Sequence, residues 1–229
     1  MIDVPFLRDT FFALASGVPL TLQLTVLSLG AGALLAAGLV AMQHDRFPLL
    51  AFIAKPYVFI FRGSPLLVQM YLIYFGLGQF PALRASFLWP FLREPYWCAL
   101  LALALNEAAY SSEIMRGALR SVPSGYIEAG KACGMSSFLL LRRIIIPTAL
   151  RNSLPACANE IIVMVKSTAL VSTITLLDIT GVAAEIVSDT YRSIEVFLMA
   201  GAIYLTINFA ITNAVSLVEY KLSRHLREA

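Results

Sequence analysis

Four polar residues stand among apolar neighbours: Glu107 in LALALNEAAY, and Asn159, Glu160 and Lys166 in ANEIIVMVK. A polar or ionisable group at bilayer depth is costly, so it faces the interior of a helix bundle, where it pairs or lines a path. Carboxylates at Glu107 and Glu160 suit an ammonium or guanidinium, Lys166 suits a carboxylate, and Asn159 adds a neutral hydrogen-bonding group. A plainer alternative stays open: Glu107 and Lys166 pair with each other or with a neighbouring subunit, and Glu160 serves packing. Little else in the chain offers chemistry. The two histidines, His44 and His225, lie far apart, and the three cysteines, Cys98, Cys133 and Cys157, form no CxxC, so small buried thiols are expected and no metal site. GYIEAGKA, Gly125 to Ala132, comes within one residue of a phosphate-binding loop. Ala132 replaces the magnesium-binding Ser/Thr there, and no strand precedes it. No cofactor and no catalysis are expected of this chain, and a helix-turn-helix reading of residues 129–139 stays a remote alternative, because a helix tied between membrane runs could hardly reach a nucleic-acid groove.

The elements that must position these residues are membrane helices. Of 229 residues, 59% are hydrophobic and 14% charged, against roughly 25% charged in soluble domains. Apolar runs approaching or exceeding the ~20 residues of a bilayer crossing cover about 18–42, 64–80, 97–115, 154–177 and 196–218, predicting one all-α membrane domain over 1–229 with five transmembrane helices. The first run ends at His44, Asp45 and Arg46 and is too long for a signal peptide, so it is expected to persist. Thr21, Gln23 and Thr25, with Gly30, Gly32 and Gly38, suit close helix packing in it. Residues 47–62, broken by Pro48 and Pro56 and carrying Lys55 and Arg62, fit an interfacial elbow. Pro81, Pro90 and Pro95 with Trp89, Tyr96 and Trp97 mark an outer loop, and Asp178, Glu185, Asp189 and Glu195 mark an acidic one. Asn208, Thr212 and Asn213 are expected to bond to neighbouring helices. Lys and Arg concentrate in 116–151 and in the tail at Lys221, Arg224 and Arg227, which places these segments inside and the N-terminus outside.

The longest stretch that is not a span, 121–150, holds Lys131, Arg142 and Arg143, with Arg116 and Arg120 just before it and Arg151 just after. Pro123 suits a first helical turn, Gly134 a left-handed close, and Ser136 or Ser137 the next cap, with Pro147 as a stop. Two short helices joined by a sharp turn are expected.

Residues 126–147 resemble the cytoplasmic EAA loop of the membrane subunits of ATP-driven importers: Glu128, Ala129, Gly134, Ile144, Ile145 and Pro147 match, and Gly130 replaces the second Ala at about 1 kcal/mol of helix propensity. Arg62, Gly63, Ser64 and Pro65, followed by Leu66, resemble the Arg-Gly-Thr-Pro-Leu turn of polar amino acid permeases, with Ser64 for Thr. ANEIIVMVKSTALVSTIT resembles a span of the histidine, opine and basic amino acid branch. The chain is thereby identified as a member of that family, an M-type permease subunit of a polar amino acid ABC importer. The resemblance implies a type I ABC importer permease fold with a cytoplasmic coupling helix, whose Tyr126, Ile127, Glu128, Ala129, Gly130, Ala132, Gly134 and Met135 contact an ATPase.

It implies a second homologous permease subunit, two ATP-binding-cassette ATPase subunits that bind the ATP and Mg, a periplasmic substrate-binding protein, and a bacterial inner membrane. A stand-alone secondary transporter or channel is the alternative. It would favour an inverted repeat and more spans, neither of which is evident.

Overall fold

The computed structural model describes residues 3–43 and 48–227, with side chains to Leu217. The expectations at His44, Asp45 and Arg46, and for the tail side chains Lys221, Arg224, His225 and Arg227, fall outside it. The described residues are helical throughout, with no strand.

Helix α1 (Val4–Ser16) is capped by Asp3, whose carboxylate accepts from the Phe6 N–H at 3.2 Å. It passes through Gly17 into α2 (Val18–Met42), so the helical rod begins well before the expected span start. Gly17 is needed for a close approach: a Cβ there would lie 2.6 Å from backbone atoms of Asp178 and Ile179. Thr21 and Thr25 are buried and return their hydroxyls to the carbonyls one turn back, at 3.2 and 2.7 Å, whereas Gln23 is exposed.

Helix α2 buries Thr21, Leu24, Thr25, Ser28, Gly32 and Ala36, a stripe of mostly small residues that brings its backbone close to α7 (Pro95–Arg120). That face of α7 is correspondingly small, with Ala99, Ala102, Ala108 and Ser112 buried, as expected for helix pairs packed without a bulky core.

Helix α3 (Pro48–Gly63) contains Pro56 and meets the segment Leu66–Gln79 at 109°. That segment starts as α4 (Leu66–Tyr71), widens through a π-turn at Leu72–Gly76 and tightens at Leu77–Gln79. The expected outer loop holds two single-turn helices, α5 (Pro81–Arg84) and α6 (Trp89–Leu92), each begun by a proline in its first turn.

After α8 (Ser124–Ala132) and α9 (Ser137–Leu140), a π-turn at Leu141–Ile145 leads into α10 (Ile146–Ser167). Pro147 therefore does not stop a helix. It occupies the first turn of α10, and the widened turn before it makes room for a ring that would clash with a carbonyl of a regular helix. Ser137 to Ile174 is one continuous helical segment of 38 residues, not a short helix followed by a separate span at 154.

Thr168–Ile174 is a tight 3-10 end closed by Thr175 at φ 73°. The expected acidic loop is then mostly a helix, α11 (Ile179–Thr190). Its cap, Asp178, is fully buried and accepts from the Gly181 N–H at 2.9 Å and the Tyr204 hydroxyl at 2.8 Å. Glu185, Asp189 and Glu195 remain exposed, while Arg192 reaches Asp3 at 3.1 Å and lies over Phe6.

The last helix is α12 (Ser193–Arg227). Asn208 donates to the Tyr204 carbonyl and Thr212 to the Asn208 carbonyl, at 3.0 and 2.8 Å. These bonds stay within α12 instead of reaching a neighbour, and Asn213 is exposed. Cys98 is buried, but Cys133 and Cys157 are exposed, against the expectation of three buried thiols.

Among the described residues three helical segments are long and apolar enough to cross a membrane: Val4–Met42, Ser137–Ile174 and Ser193–Leu217. The bent pair α3–α4 makes a fourth if it counts as one crossing. Helix α7 matches the expected third span in place and has the length, at 26 residues. Glu107, Glu113, Arg116 and Arg120 make it too polar to qualify by apolarity, so five crossings are not reached on that ground.

Candidate functional site

Glu107 sits on the face of α7 turned to α2 and is 2% exposed. Gly32 makes the space: a Cβ on it would collide with Cγ and Cβ of Glu107. One carboxylate oxygen accepts from Ser111 Oγ at 2.5 Å, and the other is buried with no hydrogen-bond donor to it among the described residues. Glu160, half-buried on α10, lies near that carboxyl, and the Arg62 guanidinium lies within electrostatic reach of Glu160.

The structure thus gathers Glu107, Glu160 and Arg62, drawn from α7, α10 and the end of α3. It leaves Asn159 and Lys166 exposed on α10. Among the described residues no carboxylate lies within 4 Å of Lys166, so the Glu107–Lys166 pair that sequence left open is not formed.

Arg62, Gly63, Ser64 and Pro65 form the corner between α3 and α4. Arg62 Nη1 lies 3.7 Å from Glu113 of α7, and Glu113 also holds Arg116. Gly63 has open space around it. Pro65 takes the N-cap position of α4 with an extended backbone (φ −63°, ψ 133°). Sequence reading passed over Gln69, which is 6% exposed and bonds to this corner. The signal was available: a lone amide one turn after a proline in an otherwise apolar run.

The elbow at 124–146 is built as its punctuation demands. Gly134 adopts φ 73°; its N–H bonds to the Lys131 carbonyl at 2.9 Å and the Met135 N–H to the Gly130 carbonyl at 3.1 Å. These are the two bonds of a Schellman close. Ser136 rather than Ser137 caps α9, accepting from the Leu139 N–H at 3.4 Å.

Gly130 is buried, and a Cβ there would come within 2.5 Å of Leu140 Cδ1. The missing side chain therefore lets α8 lie against the segment that follows, a role beyond helix propensity. Ile127 turns inward and packs with Ala118, Val122 and Ala149. It anchors α8 to α7 and α10 and is not an outward apolar contact. Tyr126, Glu128, Ala129, Lys131 and Ala132 are exposed. Tyr126, Ala129, Met135 and Arg143 line a groove of about 390 Å3 along the elbow. Asn152 of α10 donates to Ser121 at 2.9 Å, tying the elbow's exit to its entrance.

The chain thus combines a capped elbow at 124–146 with a buried carboxylate, Glu107, and a half-buried one, Glu160, between long apolar helices. Residues 12–224 match the family model described as binding-protein-dependent transport system inner membrane component, and the chain belongs to that family. It is 60% identical over 220 residues to the octopine transport system permease protein OccM of Rhizobium meliloti, covering 96% of this chain and 90% of that one. It is 40% identical over 215 residues to the arginine ABC transporter permease protein ArtM of Haemophilus influenzae, covering 94% of each. Among solved structures it is similar to the crystal structure of an amino acid ABC transporter with histidines. That likeness has a TM-score of 0.86 at 34% identity and covers 96% of this chain and 99% of that one. The fold is the type I ABC permease fold, and the chain is a multi-pass inner-membrane permease.

Proposed function

We propose that this chain is the permease subunit of an importer that carries basic amino acids or their opine conjugates inward. The observation that supports this most is the combination of the buried Glu107 with the half-buried Glu160, carboxylates suited to a guanidinium or ammonium, with relatives named for octopine and arginine transport. In this reading the helices cross five times, α7 included, because its mid-helix carboxylates are turned to neighbouring helices, Glu107 to Gly32 of α2 and Glu113 to Arg62 of α3, and Arg120 lies at its end. The N-terminus is periplasmic and the C-terminus cytoplasmic.

The chain itself is not an enzyme. A second homologous permease completes the path, a periplasmic binding protein delivers the substrate, and two ATPase subunits bind ATP and Mg. The exposed face of α8, with Tyr126, Glu128, Ala129, Lys131 and Ala132, meets an ATPase, and Gly134 and Met135 shape the turn behind it. Ile127 and Gly130 fix α8 to α7 and to the segment leading into α10, so ATPase closure moves both helices that carry the path carboxylates. Asn159 and Lys166, exposed on α10, face the second permease or the substrate's carboxylate.

The test is ligand-stimulated ATP hydrolysis by the purified complex in vesicles, screened over arginine, octopine and neutral amino acids. Stimulation by the guanidinium-bearing ligands, lowered at least tenfold by Glu107→Gln in complexes that still assemble, is expected. A complex that assembles but responds equally to neutral ligands would remove the basis for the carboxylate assignment.

A further inference from the structure

Proline 65 creates a specific deficit. The Phe61 carbonyl would ordinarily accept from the N–H four residues on, and proline has none. An unpaired carbonyl inside a helix bundle is costly, and here two side-chain amides take over. Gln69 Nε2 donates to the Phe61 carbonyl at 2.8 Å, the Ser64 carbonyl at 3.1 Å and Ser64 Oγ at 2.8 Å. Asn106 Nδ2, on α7, donates to the Phe61 carbonyl at 3.2 Å and to Gln69 Oε1 at 3.0 Å. Ser64 Oγ in turn donates a hydrogen bond to the Ile60 carbonyl at 2.7 Å.

The neighbouring carbonyl is held in the same way. Tyr110 donates to the Arg62 carbonyl at 3.4 Å, its ring lies 5.4 Å from the guanidinium carbon, and Glu113 takes the guanidinium itself. Asn106, Tyr110 and Glu113 stand at i, i+4 and i+7, which is one face of α7. One helix face therefore grips three successive features of the 109° corner, and it lies beside the face that presents Glu107 and Ser111.

We propose that Gln69 and Asn106, with Tyr110, form a polar clasp that fixes the α3–α4 corner to α7 and so positions Arg62 at the path. The role rests on the importer reading above. α8 follows the end of α7 after three residues, Ser121 to Pro123, so rotation of α7 by the elbow is delivered to the corner through these bonds. Gln69 and Asn106 are positioning residues. They hold backbone carbonyls, leaving substrate contact to the carboxylates.

The experiment uses the reconstituted complex with its ATPases and binding protein. Nitroxides at Phe59 and Leu72, both exposed on the two arms of the corner, report the angle, in a background with Cys133 and Cys157 replaced by serine and buried Cys98 kept. Gln69→Leu and Asn106→Leu remove the donors, and Asn106→Asp removes the Asn106 donor at nearly constant volume if the leucines fail to assemble. The expected result is a broadened distance distribution, uptake down at least tenfold with ligand-stimulated ATP hydrolysis within about twofold of the parent, and no further loss in the double variant.

An unchanged distance, or uptake unchanged despite a broadened one, overturns the clasp. Failure of the parent complex to hydrolyse ATP in response to ligand would instead count against the importer reading, and the distance measurement, which needs no hydrolysis, still decides the clasp.

Discussion

Glycine does different work at different positions in this chain, and the difference is measurable. Gly17 abuts the Asp178–Ile179 backbone, where neither side can yield without moving the start of α11 and with it the buried Asp178–Tyr204 bond. Gly38 is helical and exposed, with nothing within 4 Å of a Cβ. Gly17→Ala should therefore cost about 1–3 kcal/mol by overpacking, whereas Gly38→Ala should be neutral or stabilise by up to about 1 kcal/mol through helix propensity. Thermal unfolding of the two variants in detergent checks this; equal melting temperatures would show that the Gly17 contact does not constrain the fold. The sequence suggested close packing at Gly38, where there is none, and did not single out Gly17. What separates them is a partner some 160 residues away, which no local pattern reports. The same holds for Asp178: its place in an acidic stretch suggested solvent, and only the arrival of Tyr204 from α12 makes it a buried cap.

At the scale of the element, punctuation was legible and continuity was not. The turn at Gly134, the cap at Ser136 and the corner at Pro65 follow from residue chemistry that acts within four or five positions. Pro147 misled because a proline suits the first turn of a helix as well as the residue after one, and the π-turn at Leu141–Ile145 joins the two segments without a break. The elbow also allows its two glycines to be told apart. Gly134 has open space but a left-handed backbone, so Gly134→Val strains the turn by roughly 1–3 kcal/mol without any clash. It should tilt α8 and lower uptake per ATP hydrolysed several-fold in vesicles while the complex still assembles. Gly130→Leu has no room against Leu140 and Ile144 and should displace α8 altogether, reducing recovery of the ATPase on purification. If the two variants fail in the same way, the elbow does not act as a shaped lever.

For the whole molecule, the sidedness of the helices decides whether the elbow and the buried carboxylates belong to one device. Charge places Arg120, Lys131, Arg142 and Arg143 together, and all four are exposed around the α8–α9 elbow; positive residues between crossings stay in the cytoplasm. At the other end, Asp3 and Arg192 join the start of α1 to the turn before α12, and Glu185 and Asp189 are exposed on α11 beside it. The Asp3–Arg192 and Gly17–Asp178 contacts hold α1 against α11 at both of its ends, and Ile127, Val122 and Asn152 gather the elbow end. An even number of crossings between Arg192 and Lys131 would place both on one side. On the proposed topology the segment Ser137–Ile174, followed by α11 packed on α1 and α12, is the single crossing between them. A membrane-impermeant amine reagent should therefore modify Lys131 only after the cytoplasmic face is opened. A cysteine placed at Glu185 should react with an impermeant maleimide from outside in intact cells, in the background where Cys133 and Cys157 are serine. Labelling of Lys131 from the exterior would put the elbow beyond reach of any cytoplasmic ATPase and end the importer account, whatever the carboxylates bind.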